Sequence, residues 1–272
     1  MNQNTFISKL NEIQSIQNKM SQITRQSVGP VQFTEILFRM GVYPGLEDLN
    51  GTVCIKKSSI PNGGNGVFTT KRINKGEIIT FYPCHAMIDA RQLKNCAGKV
   101  KIKKKLPFDL PSNQNDIMDY STAVYEGEAY YYGSPEITDS HSLGHMINDA
   151  SSNETIEKLK NLNDFCKKNK RNTKKCSKER FICMLSYYLD AKKKSNCSII
   201  SSGAWCFIQA TKTIEKDVEL FTDYGPEYWY KGSPQELLDT LSSHSNKKQL
   251  KILHNLMTDI WKFKYQWKKN HV

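Results

Sequence analysis

The hydrophobic rhythm of this chain changes several times along its length. Between Thr5 and Arg25 the apolar positions Phe6, Ile13 and Met20 recur every seven residues, and Ile16 and Ile23 fall three after the last two. That stripe predicts an amphipathic helix. With fewer than three heptads it suits packing on a neighbouring domain better than a coiled coil, though pairing with a second copy stays open. A second apolar helix is predicted from Val31 to Met40, ending at a turn built from Gly41, Pro44 and Gly45. From Thr52 the period drops to two. Thr52–Lys57, Gly66–Ile73 and Glu77–Tyr82 read as strands around glycine turns. Arg91–Asp119 is basic and broken by prolines, and Ala123–Gly133 is aromatic and strand-like.

Residues 154–194 form a Lys-rich block, with ten basic and two acidic residues between Lys158 and Arg180. Two helices are predicted there, about Glu154–Lys168 and Lys178–Lys192, linked through Lys167–Lys175. Strands resume at Cys197–Ser201 and Ala204–Ala210. Ser233, Pro234 and Glu236 make a capping box with proline in the first turn, and a last helix carries Leu253, Leu256, Ile260, Trp261 and Trp267. Short strands in the middle, helices at both ends and one inserted pair define an α+β chain rather than a doubly wound α/β sheet.

At 272 residues, with 38% hydrophobic and 24% charged residues, the chain has the make-up of a globular protein with a real core. No stretch approaches the roughly 20 apolar residues that cross a bilayer, and the N-terminus lacks a basic region followed by an apolar run. A soluble intracellular protein with no membrane partner is expected. The eight cysteines form no tight pairs, so free thiols are expected. Cys166, Cys176, Cys183 and Cys197 could in principle meet around zinc, but no CxxC pair occurs anywhere, and no metal is expected. The net charge of +12 points to an acidic partner such as nucleic acid or a nucleosome face, or simply to Lys-rich codon usage. Lys167–Lys175 also resembles a nuclear import signal, which makes the nucleus a candidate location.

Three distant segments carry candidate chemistry. The first is Gly63-Gly64-Asn65-Gly66-Val67-Phe68, whose glycines at 64 and 66 free the backbone for unusual torsions and close ligand approach. It lacks the strand–helix context of a dinucleotide loop and the Gly-Lys-Ser/Thr of a nucleotide-triphosphate loop. The second is Leu143–Ala150, containing Asn148 and Asp149. The third is Ile214–Gly225, which includes Glu219, Thr222, Asp223 and Tyr224 and continues through Tyr228-Trp229.

In this order the three segments resemble the SET-domain family of protein-lysine methyltransferases. The match runs over roughly residues 52–230 with two insertions, about 90–120 and 154–194. The ending is most similar to small viral-type SET proteins without a zinc-binding tail. The resemblance implies several small curved β-sheets and a pseudoknot near the C-terminus. It divides the chain into an N-terminal helical segment (1–50), a SET domain (51–230) and a C-terminal helical segment (231–272). It implies S-adenosylmethionine as cofactor, bound by Asn65, Gly66, Val67, Phe68, Asn148, Asp149, Tyr228 and Trp229. Tyr224 is implied at the methyl-transfer centre and Tyr82 in the lysine channel. The substrate class is a protein lysine, with histones or nucleosomes as candidates, and the Lys-rich insertion could touch nucleic acid nonspecifically. Monomer and homodimer both stay open.

Departures from the family pattern are informative. Asp149 stands where the family usually has His, and Ser151 stands where a zinc-binding Cys often lies; no cysteine follows Cys206. The family's further asparagine is Asn153 or Asn196, with Asn196 favoured by the strand after it. Thr222 is small where Phe or Tyr tunes methyl number, which leans toward di- or trimethylation. Asp149 also keeps a second reading open, a SET-like protein-binding module without catalysis.

Overall fold

The computed structural model describes residues 8, 15, 49, 51–89, 120–124, 129–138, 142–169, 172–202, 205–243 and 246–258. Ser8 and Ser15 are helical. Otherwise the helices expected over 5–25 and 31–40, the basic stretch 91–119, and Ile260, Trp261 and Trp267 lie outside these residues. No described helix is long and apolar enough to cross a membrane.

The chain divides into two compact units, one containing the residues up to Ile147 together with Ile199–Leu220, the other Asn148–Ser198 together with the chain from Phe221. The first is built from short antiparallel strands. Strands β1 (Val53–Lys57) and β2 (Asn65–Thr69) form a hairpin in which Lys57 faces Asn65. Strands β3 (Ile78–Phe81), β8 (Cys197–Ser202) and β9 (Trp205–Ala210) form a sheet of order β3-β9-β8. Every residue of β3 is buried, as are Cys206–Ala210 of β9, so both are continuous buried runs rather than alternating ones, with Thr80 the polar exception in β3. Gln209 is the polar exception in β9, and its Nε2 donates to the Gly76 carbonyl at 2.6 Å. A third sheet has the order β4-β6-β5, from Ala86–Asp89, Ser121–Val124 (β5) and Ala129–Tyr132 (β6).

The second unit is mostly helical. Among the described residues its one sheet is the parallel pair β7 (Asn148–Asp149) and β10 (Phe221–Thr222). Helix α1 (Asn153–Lys168) starts at Ser152, whose hydroxyl accepts from Thr155 N at 3.3 Å; Glu154 in the first turn and Lys167 and Lys168 in the last suit the helix dipole. Its buried face, Ile156, Leu159, Leu162 and Cys166, keeps a spacing of three and four. Helix α2 (Thr173–Lys194) begins five residues earlier than its sequence predicts. The reason is Asn172, whose Oδ1 caps Lys175 N at 2.9 Å and draws Thr173, Lys174 and Lys175 into the first turn. The expected linker is correspondingly shorter. Asp190 of α2 accepts from Ser152 Oγ at 2.6 Å and Thr155 Oγ1 at 2.9 Å, tying the start of α1 to the end of α2.

A helical turn, α3 (Pro226–Trp229), precedes α4 (Pro234–Ser243), which packs on α2. Glu236 was expected to close a capping box. Its carboxylate instead accepts from Arg180 Nη2 of α2 at 2.7 Å and from the Tyr230 hydroxyl. Residues 247–258 are again helical, with Leu253 and Leu256 buried.

Candidate functional site

The turn between β1 and β2 is closed by its own backbone. Ser58 N donates to Gly64 O at 3.0 Å, and Gly63 N donates to Ile60 O at 2.9 Å. Gly64 takes a φ of 64°, a left-handed torsion in which the missing Cβ removes a steric cost. Gly66 lies within β2 and uses no such freedom. The turn is latched by Glu219, which accepts from Ser58 Oγ at 2.6 Å, Ser59 N at 2.8 Å and Ser59 Oγ at 2.5 Å. Glu219 is buried, its backbone bridges Phe68, and Leu220 N donates to Val67 O at 2.7 Å. The sequence places Glu219 in the third candidate segment but assigns it no role. Its one signal is an acid sitting between Val218 and Leu220 in a strand-like run. Of the four residues expected here to meet a cofactor, Asn65 is exposed, Gly66 and Val67 are buried, and Phe68 is half-buried with Lys56 Nζ 5.6 Å from its ring centroid.

Tyr82 follows β3 in the same unit. Its amide donates to Cys206 O at 2.9 Å, and its ring is buried in a cluster with Tyr131 and Cys206, flanked by Cys84 and Ile199. His145 lies edge-on to it, with ring centroids 6.3 Å apart, and its Nε2 is 3.1 Å from the Ser134 carbonyl. Burial, with neighbouring His85 adding to it, pushes the His145 imidazole down to about 4, so it packs as a neutral ring.

In the second unit the backbone pairing sets Asn148 beside Phe221 and Asp149 beside Thr222, and Ala150 N donates to Thr222 O at 2.8 Å. Asn196 binds the other side of β10: its N donates to Phe221 O at 3.0 Å, and its Oδ1 accepts from Phe221 N at 2.9 Å. Of the two asparagines the sequence left open, Asn196 is thus the buried one beside β10, whereas Asn153 is the exposed first residue of α1. Thr222 is fully buried, and its hydroxyl has no hydrogen-bond partner among the described residues.

Asp149 is the polar hub of this unit. Its Oδ1 accepts from Ser151 N at 2.6 Å. Its Oδ2 accepts from the Tyr187 hydroxyl at 2.7 Å, Trp229 Nε1 at 3.0 Å and Tyr224 N at 3.3 Å. Burial lifts its carboxyl to about 6; the bonds from Tyr187, Ser151 and Trp229 oppose the rise, and nearby Asp223 adds to it. The Asp223 Oδ1 accepts from Gly225 N at 3.1 Å, and Gly225 takes a φ of 93° that strains any other residue. Tyr224, Tyr228 and Trp229, all half-buried, form one aromatic cluster. Tyr228 stands edge-on to both neighbours at 4.9 and 4.7 Å, and Tyr224 lies parallel to Trp229 at 6.2 Å. Lys160 of α1 places Nζ 5.2 Å from the Trp229 ring and also pairs with Glu157 at 2.9 Å.

Among the described residues no three His, Cys, Asp or Glu side chains are grouped to hold a metal ion, and the seven described cysteines are free thiols.

The small antiparallel sheets, the hairpin turn and the Asn148 and Tyr224 segments are those of a SET domain, and the SET domain family matches residues 64–225. The chain belongs to the SET-domain family. SET methyltransferases use S-adenosylmethionine, and one similar solved structure, a ctPRC2 complex in an autoinhibited conformation, has it bound. That structure is 17% identical with a TM-score of 0.34, over 70% of this chain and 17% of its own. The Neurospora histone lysine methyltransferase DIM-5 is 14% identical with a TM-score of 0.35, over 70% of this chain and 57% of its own. The ATXR5 SET domain, solved with histone H3 di-methylated on R26, is 14% identical with a TM-score of 0.30, over 76% and 70%. This chain therefore spans 17% and 57% of the first two. No curated protein sequence matches it.

Proposed function

We propose that this chain is a protein-lysine methyltransferase that moves a methyl group from S-adenosylmethionine to a lysine amine. One observation carries the reading: Tyr224 sits in an aromatic cluster with its amide held by two polar side chains, inside the stretch that matches the SET family. The roles that family resemblance implies are kept as part of the proposal: Tyr224 and Tyr82 for the lysine, and Asn65, Gly66, Val67, Phe68, Asn148, Asp149, Tyr228 and Trp229 for the cofactor. So is the division at residues 50 and 230. The implied pseudoknot is supported by β10 lying between β7 and Asn196.

The residues fit such a cofactor. Tyr228 and Trp229 keep aromatic surface exposed, and the buried Thr222 hydroxyl is a polar group without a partner among the described residues. S-adenosylmethionine supplies the methyl of a sulfonium. The chain's task is to align an amine with it, which is chiefly positioning. The lysine must also arrive uncharged, although its ordinary pKa is about 10.4. Apolar aromatic walls disfavour the ammonium, and a tyrosine hydroxyl can orient the amine while its ring contributes to those walls. The absence of bulk at Thr222 leaves room for more than one methyl, which supports di- or trimethylation. Histones or nucleosomes are the proposed substrate class, the charge of +12 favouring the nucleosome through its acidic face and its nucleic acid, and a nuclear location is proposed with them. Contact of the Lys-rich hairpin with nucleic acid is proposed on charge alone and should weaken steeply with salt.

Transfer of label from S-adenosylmethionine to core histones and reconstituted nucleosomes tests the reading. Tyr224→Phe should lower kcat by about 100-fold or more, with the melting temperature kept within about 2 °C. Cofactor binding without label on any histone would redirect the search to other proteins. Neither binding nor transfer would leave the non-catalytic binding module.

A further inference from the structure

Asp149 occupies a position where family resemblance implies histidine, and the fold gives it a partner from the Lys-rich insertion. Tyr187 lies in the middle of α2, 38 residues away, and is 0% exposed. Its hydroxyl donates to Asp149 Oδ2 at 2.7 Å and accepts from Tyr224 N at 3.0 Å and Gly225 N at 2.9 Å. A phenol has one donor and two lone pairs, so its bonding capacity is filled. It stays protonated, because burial and the nearby Asp149 and Asp223 carboxylates push its pKa well above the ordinary value. Asp149 then holds Trp229 Nε1 at 3.0 Å with the same oxygen. The Tyr224 amide and the Trp229 indole thus depend on two side chains, one from β7 and one from α2, while the Gly225 amide is shared between Tyr187 and Asp223.

We infer that Tyr187 and Asp149 form a positioning pair that sets the Tyr224 ring and the Trp229 indole for methyl transfer. The Lys-rich insertion is thereby a working part of the active site and not a surface appendage. The inference rests on the methyltransferase reading and deepens it. Positioning matters at this scale, because a displacement of about 1 Å at a reacting group costs on the order of 100-fold in rate.

Tyr187→Phe is the informative variant. It keeps the ring, which packs edge-on against Tyr188 at 5.6 Å. Each amide also keeps a longer partner, Tyr224 N with Asp149 Oδ2 at 3.3 Å and Gly225 N with Asp223 Oδ1 at 3.1 Å. The fold should survive while the geometry loosens. Asp149 accepts all its bonds as a carboxylate, so acid should disable the pair. The titratable groups facing it are Tyr187 from α2 and Asp223 and Tyr224 from the segment after β10. Asp149→Asn removes the proton-dependent step, and an amide cannot accept from every one of the four donors without placing its own NH2 against some of them.

The experiment measures kcat, KM and pH profile for the wild type, Tyr187→Phe, Asp149→Asn and the double variant, with hydrogen exchange of the Tyr224 and Gly225 amides. Tyr187→Phe should lower kcat roughly 10- to 100-fold, and because Trp229 Nε1 keeps its bond to Asp149, KM for S-adenosylmethionine should change less, by under about 3-fold. The two amides should exchange faster, and the double variant should lose little beyond Asp149→Asn alone. Wild-type activity should fall below a pH of about 6, and the residual activity of Asp149→Asn should lack that limb. A Tyr187→Phe enzyme with wild-type kcat, pH profile and amide exchange would overturn the inference. If the wild type transfers no methyl at all, the methyltransferase reading fails on its own. Exchange then decides for the pair: faster in Tyr187→Phe supports a held turn, unchanged rates sink it.

Discussion

Asp149 and His145 are both buried, and acid acts on them in opposite senses. The Asp149 carboxyl is held at about 6, above its ordinary 3.8, so the folded chain takes up a proton that the unfolded chain releases. Its contribution to stability is present below the ordinary value and is lost as pH rises through about 6. The His145 imidazole is held at about 4, below its ordinary 6.5. Its contribution is present above that ordinary value and is lost as pH falls through about 4. Each shift corresponds to about 3 kcal/mol, so between these limits the two contributions nearly cancel. Denaturant unfolding from neutral pH to pH 4 checks this: Asp149→Asn should lose stability on acidification, and His145→Gln should gain it. Parallel slopes in both variants would refute the assignment. At this scale the sequence was legible as motif: the segments that hold Asn148 and Tyr224 lie within the SET match over residues 64–225. Tyr187 escaped because its partners are 37 and 38 residues distant and its helix is dominated by lysine. The available signal was the apolar spacing Phe181, Met184, Tyr188 and Ala191, which marks a buried face without naming what Tyr187 bonds.

Among the elements, the β1–β2 turn and its latch show how a candidate ligand loop is held in place. Glu219 offers both oxygens to three donors on Ser58 and Ser59, and such charge-assisted bonds are stronger than neutral ones. Glu219→Gln puts an NH2 where an acceptor stood, and should cost about 1–3 kcal/mol and speed amide exchange across residues 58–64. Unfolding curves and exchange by mass spectrometry read both effects; a loop exchanging at the wild-type rate would mean the backbone bonds alone suffice. The hairpin was legible from its period of two, and the bounds predicted for α1, Glu154–Lys168, fall one residue short of its start at Asn153. The start of α2 was not. Lysine and threonine at 173–175 carry no apolar signal, so only the Asn172 cap places that first turn. Glu236 shows the same limit: a capping pattern is local, whereas its carboxylate is claimed by Arg180, 56 residues earlier.

For the whole molecule, the decisive fact is connectivity. The chain passes between its two units after Ile147, Ser198 and Leu220, so neither unit is one continuous segment. A chain ending at Ser198 would lack β9, the middle strand of its sheet, and β10, the partner of β7. Such a truncation should show no cooperative thermal transition by circular dichroism, although it retains β1 to β7 and both helices of the insertion. A clean transition would mean that one unit folds without its later segments. The Lys-rich block also changes meaning at this scale. Read as sequence it is a solvated hairpin, yet Ile156, Leu159, Leu162, Phe181, Met184 and Tyr187 make it much of the second unit's core.

The bond between Asp149 and Tyr187 also ties their histories together. A lineage that reached the carboxylate before the phenol, or gave up the phenol first, would pass through a protein with a buried acid lacking its shortest donor from another side chain. Substitutions at the two positions are therefore epistatic, and the order in which they arise is constrained. For protein engineers the same bond forbids treating residues 153–194 as an exchangeable cassette. A chimaera that imports another insertion must bring a matching residue 149 with it, or inherit a loosened turn at Tyr224.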